Sequence, residues 1–120
     1  MAGTIVADDI QHSTAGSVGT EYVVDGSSKM WHLIEGYSGF STYNSLNVSS
    51  ITDNGTGLYT RNLTNNFANA NYASAVDGGW NRASGVTTRA TSSTQTKHAT
   101  FSLGAADVSY ASVTTMGDLA

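Results

Sequence analysis

Short β-prone runs along this chain alternate with clusters of Gly, Asn, Asp and Ser. No window places apolar residues at three-and-four spacing behind a capped start, so the pattern predicts strands rather than helices. Tyr22-Val23-Val24 is the first run, closed by Asp25-Gly26. Met30-Trp31-His32-Leu33-Ile34 follows and ends at Gly36. Runs at 46–51 and 58–63 flank Asp53-Asn54-Gly55-Thr56-Gly57, and Asn-Gly between alternating segments is the strongest short-range hairpin signal. Asp and Asn bond their own backbone and tolerate left-handed conformations, which a tight reversal requires. Further strands are expected over 71–76, stopping at Asp77-Gly78-Gly79, and over 86–91, a two-sided polar run suited to a sheet edge. The run 96–103 puts Ala99, Phe101 and Leu103 on one face, and 108–113 closes the set. About seven short strands with tight turns predict an all-β chain, best arranged as a compact antiparallel β-sandwich of jelly-roll-like type.

The first residues read differently. Gly3-Thr4-Ile5-Val6-Ala7-Asp8-Asp9-Ile10-Gln11 holds little apolar material, and Ser13-Thr14-Ala15-Gly16-Ser17 reads as a flexible connector. Residues 1–21 are therefore expected to form an extended N-terminal arm and 22–120 the head. Ile5, Val6 and Ile10 are the candidate docking residues of that arm, since terminal segments commonly order on a partner.

Composition changes the picture in one respect. The chain is 39% hydrophobic and 12% charged, against roughly 45–50% and about 25% in ordinary globular domains. Ser and Thr, roughly a quarter of the residues, fill the gap. So thin a core is hard to stabilise in a lone chain of 120 residues, and burial between subunits would remedy it. An oligomer is expected. Cysteine is absent, which excludes disulfides and thiolate metal sites. The formal charge of −4 argues against a nucleic-acid partner held through phosphates. No run reaches the ~18 apolar residues of a membrane helix, so no membrane insertion is expected. The opening residues lack the basic and apolar regions of a signal peptide, and the chain is expected to be made without an export signal.

Catalytic motifs are missing. There is no Gly-x-Ser-x-Gly elbow, no phosphate-binding glycine loop before a helix and no His-Glu-x-x-His pair. His12, His32 and His98 are scattered, with no second ligand at metal spacing. His32 is expected on a strand face with its ring partly covered, and His98 toward solvent or a subunit contact. Asp8-Asp9 lies in the arm, and Glu21, Asp25 and Glu35 are separated by strand and turn signals, so no glycosidase-like pair is legible. The expectation is a non-enzyme without metal or cofactor. Trp31, Phe67 and Tyr72 read as core aromatics. Tyr37, Phe40 and Tyr43 lie in a Gly/Ser-rich stretch that either exposes an aromatic surface or packs on the sandwich end.

The best candidate for recognition is the loop Asp77-Gly78-Gly79-Trp80-Asn81-Arg82-Ala83. A sugar site needs a flat apolar face for the ring and planar polar groups for the hydroxyls, and Trp80, Asn81, Arg82 and Asp77 supply that set. The competing reading makes Trp80 an anchor between subunits with Arg82 pairing across the interface, since both types are favoured there.

From Met30-Trp31, through Leu46-Asn47-Val48-Ser49-Ser50-Ile51-Thr52-Asp53-Asn54-Gly55-Thr56-Gly57-Leu58-Tyr59, to Phe67-Ala68-Asn69-Ala70-Asn71-Tyr72-Ala73, the chain resembles small tail-fibre-like and decoration proteins of virions from marine bacteriophages and cyanophages. The opening Gly3-Thr4-Ile5 to Ile10-Gln11 and the ending Gly117-Asp118-Leu119-Ala120 are similar to such proteins too. The segment Leu33-Ile34-Glu35-Gly36-Tyr37-Ser38-Gly39-Phe40 departs from the pattern, where a plainly alternating strand would be expected. The resemblance implies a β-rich homotrimer on the particle surface, assembled in the host bacterial cytoplasm. Its partners would be other virion proteins of capsid or tail and, for a receptor-binding tip, host-surface polysaccharide. The alternatives are a free-standing carbohydrate-binding module and a capsid-stabilising cement protein with no ligand.

Overall fold

Strict alternation in the central strands sorts side chains into an inner and an outer set, and that sorting builds the molecule. The computed structural model describes residues 3–37, 41–79, 82–102 and 104–120. An N-terminal segment contains β1 (Asp9–His12), β2 (Gly16–Gly19) and one helical turn, α1 (Thr20–Val24). Eight strands follow: β3 (Ser28–Glu35), β4 (Ser41–Leu46), β5 (Val48–Asp53), β6 (Leu58–Leu63), β7 (Ala73–Asp77), β8 (Arg82–Ala90), β9 (Ser93–Thr100) and β10 (Ala111–Met116). They form two four-stranded sheets, ordered β4-β3-β10-β7 and β5-β6-β9-β8, with every pair antiparallel. Core residues from both sheets pack together, so the head is an antiparallel sandwich.

The hairpin at the Asn-Gly turn forms as its residues require. Gly55 and Gly57 take φ of 116° and 67°, left-handed values that glycine adopts without the strain a Cβ brings. The Asp53 carboxylate accepts from the Gly55 amide at 2.9 Å, and the Leu58 amide donates to the Gly55 carbonyl at 2.9 Å. A longer tie fixes this turn to the loop before β10. Asp107 Oδ1 accepts from the Gly57 amide at 2.8 Å and from the Tyr59 hydroxyl at 3.1 Å.

Two apolar clusters fill the sandwich. Met30, Leu63, Phe67, Tyr72 and Val113 form one, capped by stacked Phe67 and Tyr72 rings 4.3 Å apart. Ile34, Tyr59, Val108 and Ala111 form the other. Along β3 the inward residues run Met30, His32, Ile34, and along β6 they run Leu63, Arg61, Tyr59. A polar layer therefore lies between the clusters. Within it, Arg61 Nη1 donates to Thr96 Oγ1 at 2.6 Å. Arg61 donates only, so the Thr96 proton is free for His98 Nε2 at 3.2 Å, which directs the His98 Nδ1–H to Ser84 Oγ at 2.8 Å. Each proton in that chain has one consistent direction.

Several expectations change. Tyr22-Val23-Val24 belongs to a helical turn rather than a strand, and the segment before the sandwich runs on to α1, beyond residue 21. Trp31 is not core: it is half-buried on the outer face, because Met30, His32 and Ile34 fill the inner parity of β3. His32 is fully enclosed rather than partly covered, and His98 is buried rather than solvent-facing. The reason is the same for both. Each imidazole has a hydroxyl partner, the edge-strand Thr42 for His32 Nε2 and the buried Thr96 with Ser84 for both nitrogens of His98, so burial leaves the His98 ring fully hydrogen-bonded and the His32 ring bonded through one nitrogen. In β9 the inward set is Thr94, Thr96 and His98; Ala99 is buried as well, but Phe101 is 69% exposed and Leu103 lies outside the described residues. The segment before Leu46 forms β4, which was not foreseen as a strand. The polar run at 86–91 does lie on an edge strand, β8.

Candidate functional site

The strand register places the two ends of the sandwich apart. The N-terminal segment enters at Ser28, whose ladder partner is Met116, itself opposite Ala73. At the other end, Ile34 lies across from Ala111, and Ser112 across from Asp77. Arg82 pairs with Thr100 there, whereas Ala90 and Ser93 turn at the end where the N-terminal segment attaches. Asp77, Gly78, Gly79 and Arg82 thus lie at the far end of the sandwich from β1, β2 and α1.

Local chemistry shapes that loop. Asp77 Oδ1 accepts from the Gly79 amide at 2.9 Å, and Gly79 holds φ of 77°. Gly78 is buried, and a Cβ there would collide with Ser84 Oγ and His98 Nδ1. The loop base therefore rests directly on the end of the Arg61–Thr96–His98–Ser84 chain. Gly78, Gly79, Arg82, Val108, Ser109 and Tyr110 enclose a cleft of about 250 Å³. Buried Val108 contributes to its lining, and exposed Tyr110 borders it.

Aromatic surface extends from this cleft. Tyr110 stacks on Tyr43 with ring centroids 5.8 Å apart, and the Tyr43 hydroxyl donates to Glu35 Oε2 at 3.3 Å. Tyr37, 71% exposed, lies just beyond the same end of β3. Flat apolar faces thus stand beside a carboxylate, a guanidinium and a serine hydroxyl. That combination suits a pyranose ring, whose CH-rich face stacks on aromatics while its hydroxyls need donors and acceptors.

Of the sequence-derived site residues, Asp77 and Arg82 flank this end, whereas Trp80 and Asn81 lie outside the described residues. Tyr110 and Ser109 were not singled out; Tyr37 and Tyr43, expected with Phe40 either to expose an aromatic surface or to pack on the sandwich end, are both exposed, and Phe40 lies outside the described residues. Tyr43 and Tyr110 come together only through the antiparallel pairing of β4, β3 and β10, a non-local fact that no local pattern announces. Among the arm candidates, Ile5 and Val6 are each 93% exposed, and Ile10 sits in β1 opposite Val18 with its side chain also exposed. Among the described residues, no group of three or more His, Cys, Asp or Glu side chains is placed to hold a metal ion. No helix of the described residues is long and apolar enough to cross a membrane. No protein-family model matches this chain, and no curated protein or solved structure is significantly similar to it.

Proposed function

We propose that this chain is a phage virion protein that docks through its N-terminal segment and presents the sandwich outward for host attachment. The carrying observation is polarity: apolar, exposed Ile5, Val6 and Ile10 belong to the segment that enters one end of the sandwich, and the aromatic cleft occupies the other. In this reading the particle holds the first end and host-surface polysaccharide meets the second. In this proposal a sugar residue stacks on Tyr110 and Trp80, while Asp77, Asn81 and Arg82 take its hydroxyls. The working form is a homotrimer, which would cover surface that the thin core leaves open.

Binding to an array of bacterial capsular and O-antigen polysaccharides tests the reading. Trp80→Ala and Tyr110→Ala should each weaken the strongest hit by roughly 30-fold, the size of an aromatic hot spot of ~2 kcal/mol. Their oligomeric mass should stay that of the parent. Undiminished binding by both variants would overturn the site. Loss of the oligomer in Trp80→Ala would reassign that residue to a subunit interface.

A further inference from the structure

Arg61 is fully buried, yet among the described residues no carboxylate pairs with it and no acceptor reaches its Nε or Nη2. Its one hydrogen bond is the donation from Nη1 to Thr96. His32, enclosed in the same layer from the opposite sheet, has a second unmatched nitrogen, Nδ1, while its Nε2 lies 3.1 Å from Thr42 Oγ1. If the Thr42 hydroxyl donates to Nε2, Nδ1 carries the proton and becomes a donor. Uncommitted N–H groups thus enter one layer from two sheets, with a full positive charge among them.

The groups facing Arg61 do not neutralise it. On its own strand Tyr59 sends its hydroxyl to Asp107. From β9 come Thr96 and His98, whose protons follow the chain that ends at Ser84. From β3 comes His32. Burial and the Arg61 charge both push the two imidazoles down, to about 4, so neither adds a second charge near neutral pH. The layer carries one unbalanced cation.

A route to it exists. A pocket of about 200 Å³ opens between edge strands β4 and β5, lined by His32, Thr42, Ser45, Val48, Ser50 and Ile51. Ile51 is the direct ladder partner of Arg61. The pocket wall is therefore one strand away from the guanidinium, and His32 forms part of its lining.

We propose that Arg61 and His32 together bind a small monovalent anion of the halide class inside the sandwich. Arg61 Nε–H and Nη2–H and His32 Nδ1–H are its donors, and the β4–β5 opening is its entrance. A large monatomic halide fits because it gives up less hydration than fluoride on leaving water, and it brings no oxygen lone pairs that the apolar clusters on either side would leave unmatched. A water molecule would satisfy donors but leave the charge unbalanced.

Thermal unfolding of the full chain in millimolar sodium bromide or chloride, against sodium fluoride at equal ionic strength, tests this. Bromide and chloride should raise Tm by roughly 5 °C for each tenfold increase once the site fills, and fluoride should not. Crystals grown in bromide should show an anomalous peak between Arg61 and His32. Arg61→Met, which removes the charge but keeps the volume, should abolish the halide dependence. Identical Tm values in bromide and fluoride, or a bromide map without a peak at that position, would overturn the proposal even if Arg61→Met fails to fold.

Discussion

A histidine that is buried neutral opposes folding once acid can charge it, and this core holds two. The folded values of His32 and His98, pushed down to about 4 by burial and by Arg61, lie below the ordinary 6.5. Between those values the unfolded chain binds more protons, so stability rises with pH across the window. Their contribution is complete above about pH 6.5 and is lost as pH falls toward about 4, with at most about 3 kcal/mol at stake for each. Denaturant midpoints measured from neutral to acid pH should fall steeply there, and His98→Gln should remove about half of that fall. Tyr59 and Asp107 make a second prediction at this scale. Tyr59→Phe removes the donor to Asp107 and should cost about 1 kcal/mol, while Asp107→Ala orphans the Gly57 amide and leaves the Tyr59 hydroxyl only its long contact to the Gly36 carbonyl at 3.4 Å, and should cost about 2 kcal/mol or more. Chemical denaturation of both variants checks the order. The buried aromatics Phe67 and Tyr72 were legible from their types, but the burial of Arg61 was not. Its strand has a clear parity, Tyr59 and Leu63 against Thr60 and Asn62, and that parity alone would have pointed Arg61 inward. Residue type argued the other way, because arginine is almost never fully buried without a partner.

Elements were easier to read than faces. The hairpin between β5 and β6 was legible because Asn-Gly and the flanking alternation are local signals, and β3, β7 and the edge strand β8 were found for similar reasons. The inner face of β3 was misassigned because Trp31 and Leu33 offer as much apolar area as Met30 and Ile34, and only the opposing sheet decides between them. The strand β4 stayed hidden, since Ser41–Leu46 alternates polar with polar and owes its place to pairing with β3. The turn itself yields a sharp prediction. Gly57 has φ of 67° and lies against the carbonyls of His98 and Ala106, so Gly57→Ala should destabilise by more than the ~1 kcal/mol of a simple backbone mismatch. Gly55→Ala, at a position with open space around it, should cost only that backbone term. Comparing the two by thermal unfolding separates strain from collision. The N-terminal segment touches the sandwich strands only marginally, so removal of residues 1–12 should leave the unfolding free energy of the head within about 0.5 kcal/mol of the parent. In the docking proposal the same truncation stops incorporation into particles, and normal incorporation would refute that role.

At the scale of the whole molecule, surface exceeds what a single chain of this size needs. The accessible area is 7329 Å² for 12.5 kDa, whereas a compact monomer of that mass shows about 6,200 Å². The radius of gyration, 16.7 Å, likewise exceeds the roughly 13.6 Å of a compact chain of this length. Much of the excess lies in β1, β2 and α1, where Ile10, Val18, Tyr22, Val23 and Val24 are all exposed. Light scattering after size exclusion should return the mass of three chains, and a stable monomer would sink the trimer. The thin core was legible from composition alone. The placing of the aromatic cleft at one end was not, because it depends on which strand termini the sheet orders bring together.

The Asn-Gly turn also determines how this chain ages. Asn-Gly is the dipeptide most prone to deamidation, through attack of the glycine amide nitrogen on the asparagine side chain, and Asn54 is exposed. Here that nitrogen is already engaged: the Gly55 amide donates to Asp53, and the Asn54 side-chain oxygen accepts from the Thr60 hydroxyl at 2.6 Å. Both reactants are held in place by the turn they build. Folded protein stored warm at mildly alkaline pH should therefore accumulate the deamidated form more slowly than the unfolded chain, and Asp53→Ala should narrow that gap. The geometry of one reversal thus sets the rate at which Asn54 is lost.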